Sequence, residues 1–215
     1  MRRLPVYIVI DTSTSMRGEP IEAVKEGLSS LIESLRHDPY ALETVCLSII
    51  TYHSKAEQIL PLTEVYKVIL PELIAKGRSV LGEALSLLCN RYDEEVHKNT
   101  AEQKGDWKPL MFLLADGGST GPLAKSIAEF KKRTFSVVVA CAAGSKVHSD
   151  VLQKITKNIV YISSNRTEDI KAYFKWISNS IGATSSKIDY CGDNDLSLEE
   201  LPPMPQEIMV LHKDR

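Results

Sequence analysis

The sequence predicts an α/β fold: a three-layer, doubly wound sandwich around a mostly parallel, six-stranded sheet with one antiparallel edge strand. Three observations predict it. Short apolar runs rich in β-branched residues alternate with stretches whose apolar residues recur at helical spacing. Two of those runs, residues 6–10 and 111–115, are apolar throughout, as strands buried on both faces are. Each of the two then ends abruptly in a carboxylate, Asp11 and Asp116.

The elements follow in order. Behind the first strand, Ile21, Val24, Leu28, Leu31, Ile32 and Leu35 share one helical face. Residues 45–52 read as a strand, and only His53 and Ser54 separate it from another extended run at 56–60. Two residues cannot hold a crossover helix, so the pair is an antiparallel hairpin at a sheet edge, with His53 solvated in its turn. A helix at 81–96 follows Gly77-Arg78-Ser79, and a polar stretch covers 97–108. Strands at 110–115, 135–142 and 159–163 are separated by helices at 122–132 and 149–156. Asn165-x-x-Glu168 is a capping box opening a last helix, which ends near Ile181-Gly182. Residues 1–183 make one domain, and 184–215 an acidic, Pro-containing arm bearing Asp189, Asp193, Asp195, Glu199 and Glu200. The apolar residues 208–211 give the arm something to dock with.

Bulk properties exclude several functions. The chain has 215 residues, enough for one substantial core, and 26 Lys+Arg against 28 Asp+Glu give a net charge of −2. That balance carries no electrostatic footprint for nucleic acid or an anionic membrane. No apolar run reaches membrane-spanning length, and no signal peptide is evident, so a cytoplasmic location is expected. Cys46, Cys89, Cys141 and Cys191 lack paired spacing and read as small core hydrophobes in a reducing compartment.

Chemistry concentrates at the strand ends. In a parallel α/β sheet these face the ligand crevice. There Asp11-Thr12-Ser13-Thr14-Ser15 offers a carboxylate and hydroxyls, Ser79 offers another hydroxyl, and Asp116 a second carboxylate. Oxygen-only donors suit hard cations such as Mg2+. The competing reading is loop and helix capping, and for Ser79 alone cap and ligand are equally good.

These residues resemble the von Willebrand factor A (vWA) family. Asp-x-Ser-x-Ser after the first strand, a Gly-x-Ser/Thr loop before a helix and Asp-Gly after a later strand are its metal-ion-dependent adhesion site. The resemblance implies a Rossmann-like vWA fold and the ligands Asp11, Ser13, Ser15, Ser79 and Asp116. Ser79 stands where Thr is usual and keeps the hydroxyl. The resemblance also implies a bound Mg2+ or Mn2+, some ligands acting through water, and an open position for an Asp or Glu of a protein partner. Within the family, the segments from Ser15 to Val24 and Lys104-Gly105-Asp106-Trp107-Lys108-Pro109-Leu110 resemble TerY-type proteins of tellurite-resistance and stress clusters. That similarity implies kinase- or phosphatase-like partners in metal stress. The expected function is a non-enzymatic interaction module; the alternative is a metal-assisted phosphate-ester hydrolase.

Decoys fall away on chemistry. Gly117-Gly118-Ser119-Thr120-Gly121 matches a nucleophile elbow, but the only later histidines, His148 and His212, are badly placed for a base. A haloacid-dehalogenase-like phosphatase needs an acid two residues after Asp11, where Ser13 stands. Asp193-Asn194-Asp195 lacks the glycine of a calcium loop. Trp107 is either a partner anchor or a cover over the core. The arm is either a source of carboxylates for the metal position, in cis or in a neighbour, or a solvated tail whose apolar end packs on the domain.

Overall fold

Strand β1 (Leu4–Asp11) is an interior strand, third from one edge of the sheet, and every one of its residues is buried. Its alternation divides the core. Leu4, Val6, Ile8 and Ile10 pack with one cluster, Tyr7 and Val9 with the other. The computed structural model describes residues 2–115, 122–143, 149–162, 166–191 and 196–210, with the side chains of 149 and 188–191 left aside. The other elements are α1 (Glu19–His37), α2 (Pro39–Thr44), β2 (Val45–Tyr52), β3 (Ala56–Glu64), α3 (Leu81–Glu95), β4 (Leu110–Ala115), α4 (Ala124–Phe130), β5 (Val137–Ala143), α5 (Ser149–Ile155), β6 (Ile159–Ile162), α6 (Thr167–Cys191) and β7 (Ile208–Val210).

The sheet is the expected doubly wound, mostly parallel one, with the order β3-β2-β1-β4-β5-β6-β7. It has seven strands instead of six. β3 pairs antiparallel with β2 at one edge, and β7 pairs antiparallel with β6 at the other. Helices α1 and α6 cover one face and α3, α4 and α5 the other. The chain leaves β1 for β2 on one side, while β4 flanks β1 on the other. The direction of winding therefore reverses at β1, and a crevice opens at its carboxyl end. No helix among the described residues is long and apolar enough to cross a membrane.

The structure differs from expectation at three places. Helix α2 is additional: Asp38 Oδ1 accepts the Tyr40 and Ala41 N–H groups (2.9 and 3.0 Å) and restarts the chain as a helix straight after α1. Helix α6 runs on to Cys191 instead of ending near Gly182. Gly182 is not a stop; it makes room for Asp38, whose carboxylate a Cβ there would meet. Beyond it, Thr184 and Ser185 are buried, and Ser185 Oγ lies 2.8 Å from Thr44 Oγ1. The third difference is β7, where residues 208–210 dock by pairing with β6.

At the amino-terminal edge of the sheet the polar segment 97–108 folds into a clasp. Asp106, nearly inaccessible, receives Arg3 through both oxygens (3.0 and 2.6 Å) and the His97 N–H (2.8 Å). Arg2 donates to Gly105 O and lies 3.5 Å from the centre of the Trp107 ring, which packs on the core. Of the two readings of Trp107, covering the core is the one observed. Glu95, at the end of α3, accepts Tyr7 Oη, Gln58 Nε2 and the Leu62 N–H. Burial, then Glu95, pushes the Tyr7 hydroxyl far above its ordinary range, so it stays a donor.

Candidate metal centre

Asp11 is the last residue of β1 and is fully buried. Its Oδ1 accepts the Ser13 N–H at 2.8 Å, which turns the chain out of the strand and fixes the carboxylate. A single helical turn, Thr14–Met16, follows, anchored by the buried Met16. It brings Ser13 Oγ within 2.9 Å of Ser15 Oγ. Gly18, at φ 82°, then lets the chain enter α1, with Pro20 in the first turn.

A second loop is stitched to this one. Lys76 N donates to Thr12 O (2.9 Å), while Thr14 donates to Gly77 O through N (3.0 Å) and Oγ1 (2.8 Å). Thr12 N in turn reaches Tyr52 O (2.8 Å), and Arg78 N reaches Ser54 Oγ (3.3 Å). Gly77 sits at φ 71°, and a Cβ on it would overlap the Ser54 side chain. Ser79 follows, only 8% exposed. It is not the cap of α3, because that position falls on Val80, which makes no side-chain cap. The structure thus brings Asp11, Ser13, Ser15 and Ser79 to one edge. Asp116, the fifth expected ligand, lies outside the described residues.

The described donors are all oxygens, and their spacing suits a small hard cation. Two neighbouring ligands on an octahedron with bonds of about 2.1 Å stand about 2.9–3.0 Å apart; calcium, at 2.3–2.6 Å, would spread them further. The Ser13–Ser15 separation of 2.9 Å fits the smaller ion, and is a hydrogen bond between the hydroxyls without it. No cluster of three or more His, Cys, Asp or Glu forms a metal site among the described residues, and the donors described at this edge are one carboxylate and hydroxyls.

The family model of the von Willebrand factor type A domain matches residues 6–175. The chain belongs to that family. No curated protein matches it significantly. Solved structures share its fold. A von Willebrand factor type A protein from Catenulispora acidiphila has 18% identity and a TM-score of 0.62, over 85% of this chain and 43% of its own. The conserved hypothetical protein BatB from Bacteroides thetaiotaomicron has 20% identity and a TM-score of 0.54, over 81% and 97%. Proximal thread matrix protein 1 from the mussel byssus, solved with a zinc-occupied MIDAS motif, has 16% identity and a TM-score of 0.58, over 82% and 45%. This vWA chain spans less than half the length of the first and third of these proteins.

Two expectations about the vWA chain need correction. His53 is not solvated: it is only 9% exposed, because the loop carrying Gly77 closes over the hairpin turn. Burial first, then Lys76 and Lys55, hold its imidazole below the usual histidine range. Its Nδ1 accepts the Ser54 N–H (2.6 Å), so the neutral ring carries its proton on Nε2. Sequence reasoning placed this residue in the turn but missed its burial, which comes from packing between distant segments. The second correction concerns only one of the two readings of the acidic arm, since the other, an apolar end packed on the domain, is what residues 208–210 show. Leu196 N donates to Ser136 O just before β5, Trp176 Nε1 donates to Pro202 O, and Glu200 closes a capping box with Ser197. Glu199 and Glu200 therefore sit at the amino-terminal edge, roughly 23 Å from Asp11 by the length of β1. They do not reach the Asp11 loop in cis. Asp193, Asp195, His148, His212, Asn165 and the Gly117–Gly121 motif lie outside the described residues, as does the Asp189 side chain.

Proposed function

We propose that this chain is a metal-dependent protein-interaction module. In it Asp11, Ser13, Ser15, Ser79 and Asp116 hold one Mg2+ (or Mn2+) and a partner protein supplies an Asp or Glu carboxylate. The observation that carries the proposal is the oxygen-only cluster at the point where the sheet's winding reverses, with two hydroxyls 2.9 Å apart beside a buried carboxylate. Family membership supports it. When bound, the ion supplies positive charge and an open position for a partner's oxygen. The chain's own part is to hold Asp11, Ser13, Ser15 and Ser79 in place through the two stitched loops. With few anionic donors the site keeps net positive charge, which favours an incoming carboxylate.

A more specific reading places the module among TerY-like proteins, in cytoplasmic tellurite or metal-stress signalling with a kinase- or phosphatase-like partner. The segments from Ser15 to Val24 and Lys104 to Leu110 are its support. A hydrolase would need a base beside the ion. Among the described residues, the histidine of the hairpin turn bonded to the Asp11 loop, His53, has its Nδ1 lone pair engaged and presents an N–H.

Calorimetry tests the assignment. Wild-type protein should bind one Mg2+ and Asp11→Ala none; equal affinities would sink the site. Partner capture from the native host lysate should be lost in EDTA and in Asp11→Ala. Mg2+-dependent turnover of a generic phosphate ester that disappears in Asp11→Ala would instead establish the hydrolase.

A further inference from the structure

The edge that carries the oxygen donors also carries cations. Arg17, Lys76 and Arg78 are all exposed, and each is tied to the candidate centre. Arg17 Nε donates to Ala75 O (3.2 Å), Lys76 N to Thr12 O (2.9 Å) and Arg78 N to Ser54 Oγ (3.3 Å). Arg17 lies two residues past Ser15 and Arg78 immediately precedes Ser79, so the three flank the donors on both loops.

None of the three forms an ion pair among the described residues. Some surface cations elsewhere are matched and others, Lys98, Lys131 and Lys154 among them, are not, so what sets these three apart is their place on the loops that carry the donors. Lys25 pairs with Glu22, Lys55 with Glu57, Lys67 with Glu64 and Lys171 with Glu26. Glu19, the acid nearest Arg17 in sequence, receives Thr167 Oγ1 at 2.9 Å. The chain as a whole is slightly acidic, at −2, so this rim is not the by-product of a basic protein. Like charges gathered around a cation-binding centre weaken cation binding and strengthen the pull on anions.

We propose that the partner presents a run of acidic residues: one carboxylate goes to the metal and its neighbours to Arg17, Lys76 and Arg78. This rests on the metal-receptor reading above and names the class of partner that receptor selects. In an extended segment, side chains on one face recur about every 6.6 Å, so alternate acids can serve the centre and the rim together. A lone Asp or Glu in neutral surroundings fills the open position and leaves the rim unused.

Two fluorescein-labelled Gly/Ser peptides test this with the full chain, one carrying six consecutive Glu and one a single Glu. Anisotropy is read with Mg2+ present at about 50 and about 200 mM NaCl. The six-Glu peptide should bind about tenfold tighter at low salt, with the advantage shrinking at high salt. The triple variant R17Q/K76Q/R78Q should lower its affinity to that of the single-Glu peptide, while calorimetry shows Mg2+ bound no more weakly than by wild type. Equal binding of the two peptides by wild type overturns the proposal, as does a six-Glu preference that survives the triple substitution. EDTA and Asp11→Ala should abolish binding of both peptides. Six-Glu binding that persists in EDTA yet fails in the triple variant overturns the metal reading and, with it, the joint site.

Discussion

The two ends of the same sheet use acids and bases in opposite ways. At the amino-terminal edge, Asp106, Arg3, Glu95, Tyr7 and Gln58 face one another, and the hydrogen-bonding capacity of one is taken up by the next. At the carboxyl-terminal edge, bonds to backbone groups do most of the joining, and Arg17, Lys76 and Arg78 form no ion pair with any acid among the described residues. Residue type alone does not separate a structural group from a binding one. What separates them is whether folding has already consumed the group's interactions.

The largest test breaks the inward-facing edge. Asp106→Ala removes a buried carboxylate and strands Arg3, itself 29% exposed in its side chain, so about 2–3 kcal/mol of stability should go. Urea unfolding reads it, and a wild-type midpoint would mean that the clasp is ornament. At the other edge a buried acid should matter to ligand linkage more than to folding. With Mg2+ a hundredfold above its dissociation constant, wild type should gain about 2.7 kcal/mol and Asp11→Ala nothing. Thermal melts with and without the ion show this, and equal gains would move the site elsewhere.

Smaller effects sharpen the contrast. Ser79→Thr should keep metal and partner binding, whereas Ser79→Ala weakens both and costs folding no more than the loss of one hydroxyl's hydrogen bond, about 1 kcal/mol. If the Ala variant unfolds well before wild type, Ser79 belongs with the structural groups after all. The smallest effect is a pH dependence at His53. Its folded pKa is depressed below the ordinary 6.5, so the unfolded state binds the proton more readily. Stability from this residue is fully present above the unfolded value and is lost as pH falls through it toward the folded one. His53→Gln should flatten the acid side of the stability profile in that window, and an unaltered slope would place the sensitivity elsewhere.

Local chemistry made most of the fold legible. The β1 and β4 runs, the hairpin forced by a short connection and the oxygen pattern after Ile10 each carry their meaning within a few residues. What escaped depends on distant contacts. Gly182 looks like a helix stop, and only the approach of Asp38 explains why α6 continues. Residues 208–210 are too short to announce a strand, because β6 supplies their pairing. His53 looks solvated in a tight turn until a loop more than twenty residues away covers it. In the centre itself, the hydroxyls were readable one by one, while the grouping of Arg17 with Lys76 and Arg78 required the stitched loops.

Those loops bear on how fast a partner arrives. Because Gly77 is wedged against Ser54 and Thr14 is bonded to Gly77, the donor-bearing turns are held in place by contacts internal to the domain. A partner meeting these two turns finds them already set among the described residues, so at them encounter, not rearrangement, sets the pace of association. The rate constant for binding should then fall with added salt, as the cations lose their long reach, while the dissociation rate stays nearly constant.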